Sequence, residues 1–330
     1  MTDSGLEKVV SAEQWQLGAS DTPASLLDAY ITVFQYQNGK LWTKGLLSLA
    51  VGGAPTYAQY TTGAVNPYVR VLSAYNTTGA VPYFDRSSQV TLFDAAGNPE
   101  ETQLLGRSQY KAMIWDPYTG QKLAEAANTR FADIAYSGFD EIHVLPGTVS
   151  ATVTVGNLRF YTGYEKTSPS LTGQGRCYAL TAPFLSGQPP CTITGTQTLS
   201  AGRAYRLTFW ASGVTPVIKT GTATIASTAI KPVYTRGSWT FYEVRFQPAA
   251  AGTLSIGQNG TSTTYLDEVR LYPAGAQMYS RTYEPLFGIR SENDATEHYT
   301  WYEYDSLGRI SAVHDRDGNV LSRTTYTLAP

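Results

Sequence analysis

The chain has 330 residues, with 24 Lys and Arg against 26 Asp and Glu, and a formal net charge of -2. That balance excludes an electrostatic case for nucleic acid or for an anionic membrane surface. Hydrophobic residues at 42% exclude disorder, while 15% charged residues beside 24 Tyr and 30 Gly favour short strands and tight turns. The length exceeds one ordinary core and predicts two or three domains. No run of about 18 apolar residues exists, so no membrane-spanning helix is expected. No basic segment followed by an apolar one opens the chain, and both ends read as cut from a longer exported protein.

Residues 1–24 are polar and read as a lead-in. From Tyr30 the pattern alternates: Ile31, Val33 and Gln35 oppose Thr32, Phe34 and Tyr36. Asn38-Gly39 and Leu41-Trp42 follow, a hairpin signal because both turn positions need positive φ. Pro67–Tyr75 alternates again. Between 90 and 140, two short strands each end in an aromatic, an Asp and a nearby Gly: Phe93-Asp94 with Gly97, and Trp115-Asp116 with Gly120. The Asp binds turn backbone and the Gly takes the left-handed position. Ala124–Arg130 reads as one or two helical turns.

Residues 141–273 carry recurrent strand runs separated by Gly, Pro, Asn or Ser, the spacing of a sandwich or jelly roll. The Asp/Gly texture then returns at Tyr304-Asp305 with Gly308 and His314-Asp315 with Gly318. A sandwich inserted into a hairpin array explains two copies before it and two after. Cys177 and Cys191 read either as two thiols or as a bridge across a loop with Gly187, Pro189 and Pro190.

Tyr302-Glu-Tyr304-Asp305-Ser-Leu-Gly308-Arg309-Ile310, continued by Asp315-Arg-Asp-Gly318-Asn319, resembles the YD repeat of RHS-type proteins. The resemblance covers about 25 residues. Phe93-Asp94 and Trp115-Asp116 depart from it by lacking the Tyr and the Arg. It implies a strip of β-hairpins within a larger RHS-like polypeptide of the bacterial surface or a toxin. Ser170–Leu180, Tyr205–Ala211 and Tyr265–Tyr272 resemble carbohydrate-binding-module jelly rolls of the galactose-binding-like type. The chain therefore reads as all-β: 1–87 a β region, 88–140 a first hairpin half, 141–277 the jelly roll, and 278–330 the second hairpin half.

Parity in Tyr265–Tyr272 places Asp267 with Val269 and Leu271, pointing inward, where a carboxylate needs a partner. The resemblance implies a structural calcium held by Asp267 with Asp140 and Glu141, which follow Phe139. Hydrogen bonds from backbone or Arg are the alternative. In Tyr205–Ala211, Leu207 and Phe209 mark the core and leave Trp210 with Arg206 and Thr208. In Trp239–Phe246, Val244 and Phe246 mark it and leave Trp239, Phe241, Glu243 and Arg245. Aromatic rings beside charges suit sugar rings, so Trp210, Trp239, Arg206, Glu243 and Arg245 are the glycan candidates. Cover by a neighbouring domain is the other reading of those rings.

His143, His298 and His314 have no motif partner, and no nucleophile elbow, zinc or phosphate motif occurs. Glu100-Glu101 point to opposite faces of a strand. The expectation is a non-catalytic, secreted or surface glycan-binding module on a YD-type scaffold, with a purely structural segment as the alternative.

Overall fold

The computed structural model describes residues 8–17, 23–37, 40–49, 84–105, 109–141, 152–172, 175–181, 191–284 and 288–327. Its regular elements are strands and short 3-10 turns, as the β-branched and aromatic composition expects. No helix among these residues is long and apolar enough to cross a membrane. Pro67–Tyr75, Asn38-Gly39, His143 and the loop with Gly187, Pro189 and Pro190 lie outside the described residues. The chain divides into two compact units, Met1–Lys111 and Ala112–Pro330.

The first unit is an antiparallel meander of β1 (Lys8–Leu17), β2 (Pro23–Gln37), β3 (Lys40–Leu49), β4 (Phe84–Phe93) and β5 (Pro99–Leu104). Each strand pairs with the next. Ile31 and Val33 are buried while Tyr30 is exposed, the period-2 pattern read from the sequence. Gln37 faces Lys40 across the β2–β3 hairpin. The expected lead-in instead contains β1, because Val9 and Val10 pair with Val33 and Thr32 and give the polar segment a ladder.

The second unit holds a hairpin strip and a sandwich. The strip runs β6 (Gln109–Trp115), β7 (Lys122–Ala127), β21 (Gln277–Glu284), β22 (Gly288–Asn293), β23 (Tyr299–Tyr304), β24 (Ile310–Asp315) and β25 (Val320–Arg323). The expected helix at Ala124–Arg130 is β7 followed by a 3-10 turn at Phe131–Asp133. The ladder to β21 overrides alanine's helix preference, with Ala126 opposite Met278. The chain leaves the strip after Ala127 and re-enters at Gln277, which pairs with that same Ala127.

Between these points lie β8 (Ala135–Ser137), β9 (Thr152–Val155), β10 (Leu158–Tyr161), β11 (Glu165–Lys166), β12 (Cys177–Leu180), β13 (Thr192–Leu199) and β14 (Tyr205–Gly213). They are followed by β15 (Val217–Thr220), β16 (Ala223–Thr224), β17 (Ile230–Arg236), β18 (Trp239–Phe246), β19 (Gly252–Gly257) and β20 (Thr264–Pro273). One sheet is ordered β16-β15-β19-β13-β10-β9 and the other β11-β12-β20-β14-β18-β17, with β8 also pairing β20. Ile193, Ile218 and Ile256 of the first face Leu207, Val244 and Leu271 of the second in one core. Cys191 belongs to that core while Cys177 lies on the other side of its sheet, so the two thiols are free.

Candidate functional site

The second sandwich sheet is apolar on both faces. Leu207, Phe209 and Val244 point into the sandwich core. Trp210, Trp239 and Phe241 point the other way, into a cluster with Tyr299 and Trp301 of β23. Trp210 lies edge-on to Tyr299 with ring centroids 6.1 Å apart. Arg236, at the end of β17, sits 4.4 Å over the Trp301 ring, and Arg316 of the β24–β25 turn sits 4.7 Å over Tyr234. His314 stacks on Trp301 at 3.9 Å and fills the space under that turn.

The faces read from the sequence are those observed, but the platform is covered. Trp210 is 0% exposed and Trp239 3%. Neither ring can stack on a sugar, because both are buried in the cluster that Tyr299 and Trp301 join. Arg206 lies beside them and reaches Glu243 at 2.9 Å and Glu297 at 3.3 Å. The far end of that sheet face is open. There Glu243 and the 75%-exposed Arg245 line a groove of about 550 Å³ with Lys231 and Thr228.

A β-bulge overturns the parity assigned to β20. Between Thr208 and Trp210 one residue of β14 opposes two of β20, and Glu268 takes φ 50. Leu266, Val269 and Leu271 therefore face the core. Asp267 pairs with Trp210 and so faces the hairpins, as do Glu268, Arg270 and Tyr272. Glu268 accepts hydrogen bonds from Tyr136 Oη at 2.8 Å and from Ser291 Oγ at 2.7 Å. The fully buried Arg270 donates to Glu297 Oε2 at 2.7 Å, and Tyr272 Oη donates to the other oxygen of Glu297.

The three residues assigned to calcium each have a partner within the chain. Asp140 pairs with the Arg290 guanidinium and accepts the Arg176 N–H at 2.7 Å. Glu141 accepts from Ser137 Oγ, and Asp267 from the Glu268 N–H at 2.8 Å. Among the described residues no three acidic, His or Cys side chains are grouped to hold a metal. A guanidinium stands against Asp140 where the resemblance implies a cation. Gly175 (φ +89) makes room for it, since a Cβ there would lie 2.4 Å from Arg290 Nη1.

Burial pushes Glu141 up to about 8 and raises Asp267, Glu268 and Asp140 as well, Asp140 despite the opposing pull of Arg290. Asp140 and Glu141 also edge a groove of about 270 Å³ with Asp116, Thr282 and Tyr283. Asp116 there caps its own turn, binding the Tyr118 and Thr119 N–H groups.

Glu297 was missed from the sequence. The Asp-capped turns at Asp94, Asp305 and Asp315 share one pattern. Each Asp N–H bonds the carbonyl four residues on, and the Gly three residues on bonds back to the Asp carbonyl. Asp294 makes the same pattern with Glu297 in the glycine place, at φ 65. A search keyed on Gly passes over it, although the Asp294 spacing alone marks the turn.

No protein-family model matches the sequence, and no curated protein does. Solved structures match less than half of it. One is the K1 cleaved adhesin domain of Lys-gingipain from Porphyromonas gingivalis W83: 15% identity over 43% of this chain and 99% of that one, TM-score 0.26. Another is the CBM22-1-GH10 modules of the Clostridium thermocellum endo-1,4-β-D-xylanase 10B, complexed with xylohexaose. It shows 15% identity over 44% of this chain and 27% of that one, TM-score 0.23. A third is the enzymatically active domain of bacteriophage CBA120 tailspike protein 4, at 14% identity over 44% of this chain and 20% of that one, TM-score 0.20. Scores this low assign neither a family nor a ligand. The all-β class rests on the strands themselves.

Proposed function

We propose that the second unit is a non-catalytic scaffold segment of an extracellular RHS-like protein, in which a jelly-roll-type sandwich is locked onto a strip of YD-type hairpins. The supporting observation is the aromatic cluster of Trp210, Trp239 and Phe241 with Tyr299 and Trp301, flanked by Arg270–Glu297 and Asp140–Arg290. A face that is to hold a ligand leaves its rings open, whereas this one spends them on its own chain. The repeated Asp-capped turn geometry supports the YD-type reading of the strip.

Hydrogen exchange on the intact chain tests the scaffold reading. Amides of β14 and β20 and those of β22 and β23 are expected to open with one common free energy, as a single cooperative unit. Complete exchange of β22 and β23 while β14 and β20 stay protected would sink the idea. A glycan-binding sandwich is the second reading. Its support is reduced to the groove with Lys231, Glu243 and Arg245, and Arg245→Ala is the variant that abolishes it.

A further inference from the structure

The strip has a second face, turned away from the sandwich. On β21, Met278, Ser280 and Thr282 are buried, while Tyr279 and Arg281 alternate outward. Tyr279 is 47% exposed and stands directly opposite Glu125 of β7. Arg281 stands opposite Glu292 of β22 and donates to it at 2.6 Å. Tyr302 of β23 donates its phenol proton to the other oxygen of Glu292 at 2.7 Å, and Tyr283 donates to the Lys122 carbonyl at 2.8 Å. Lys122 in turn pairs with Glu125. Together Lys122, Glu125, Tyr279 and Arg281 edge a groove of about 260 Å³.

From this face we infer a binding site for a neutral carbohydrate chain, with Tyr279 as the stacking ring. Several features favour that chemistry. The ring is large, exposed and set on a strand rather than a loop, so little order is lost on stacking. The charges come as two complete pairs, Lys122 with Glu125 and Arg281 with Glu292, so the groove has no net charge to attract an anion or a cation. Paired side chains still offer donors and acceptors, and hydroxyl groups are the ligand class that uses both at once. The groove has no apolar hole for a peptide side chain; its only aliphatic lining is Leu123, itself buried, and Ala124. Tyr302 lies two strands across and four residues along from Tyr279, roughly 16 Å away at about 4.8 Å per strand and 3.3 Å per residue, and extends the surface for a chain rather than a single ring.

Affinity electrophoresis of the full chain tests the site, in gels containing soluble xylan, β-glucan or galactomannan, with heparin and polygalacturonate as charged controls. Retardation by at least one neutral polysaccharide is expected, unchanged by moderate salt. Tyr279→Ala should weaken it at least tenfold, Tyr279→Trp should retain it, and Val233→Ala at an exposed position of the sandwich should leave it intact. Tyr279 is half in solvent, so the substitution leaves the ladder standing, and circular dichroism of each variant checks this. The site is overturned by absence of retardation in every neutral gel, by retardation only in the polyanions, or by a Tyr279→Ala variant that migrates as the parent does. None of these results bears on the scaffold reading, which stands or falls on the exchange measurement.

Discussion

Glu297 occupies the place that glycine holds in its sister turns, and the exchange is physically legible. A left-handed φ costs a side-chain-bearing residue about 1 kcal/mol relative to glycine. In return the carboxylate lies under the sandwich and receives Arg270, Tyr272 and Arg206. Arg270 is fully buried. Removing the partner of a buried charge costs about 3–5 kcal/mol. Glu297→Gly should therefore relieve strain and still destabilise by about 2–4 kcal/mol, the difference of those two effects. Glu297→Gln keeps the strain and one acceptor for Arg270 while losing the charge, and should also destabilise. Thermal or urea unfolding measures both, and a stabilised Glu297→Gly would show that Arg270 finds enough in the carbonyls of Met278 and Asp294. The regular turns were readable because Asp and Gly write their geometry into sequence. The turn that matters most for packing was not, because its key residue answers to an arginine 27 positions away.

Strand β20 shows the same limit one scale up. Its identity and length follow from sequence, but parity counting fails at a bulge, because one inserted residue reverses every face beyond it. Asp267 thus changed sides and faces the hairpins with Glu268. The bulge turns Asp267 and Glu268 toward the buried Asp140 and Glu141, and these acids predict a pH response. Glu141 is raised from 4.5 to about 8 by burial. Below about 4.5 it is protonated in both folded and unfolded chains and costs nothing. As pH rises from there to about 8 the unfolded chain releases the proton while the folded one keeps it, so stability falls by about 1.4 kcal/mol per pH unit. The raised Asp267 and Glu268 add to the same slope. Unfolding free energy should therefore decline between pH 5 and 8, and Glu141→Gln should flatten the decline. A parent protein whose stability rises over that window would mean that these carboxylates are solvated rather than buried.

For the molecule as a whole, both sides of the sandwich sheet were sorted correctly from alternation in Tyr205–Ala211 and Trp239–Phe246. What covers the outer side could not be sorted, since periodicity distinguishes two faces but not water from a neighbouring strand. The cover is Tyr299 and Trp301 of β23, so the strip and the sandwich meet at one cluster. That meeting makes an energetic claim. Trp210→Ala should cost about 3–5 kcal/mol, as for a large buried ring. A loss of that size is equally expected if the ring merely fills the sandwich. The coupling between Trp210 and Tyr299 separates the cases, because their rings belong to different halves of the second unit and touch edge to face. In a double-mutant cycle of Trp210→Ala with Tyr299→Ala, edge-to-face packing predicts an interaction of about 0.5–1.5 kcal/mol. Additive losses would mean that the hairpins lie beside the sandwich without holding it. A coupling in that range makes the strip part of the sandwich's stability, and it ties any site on the strip's outer face to a rigid support.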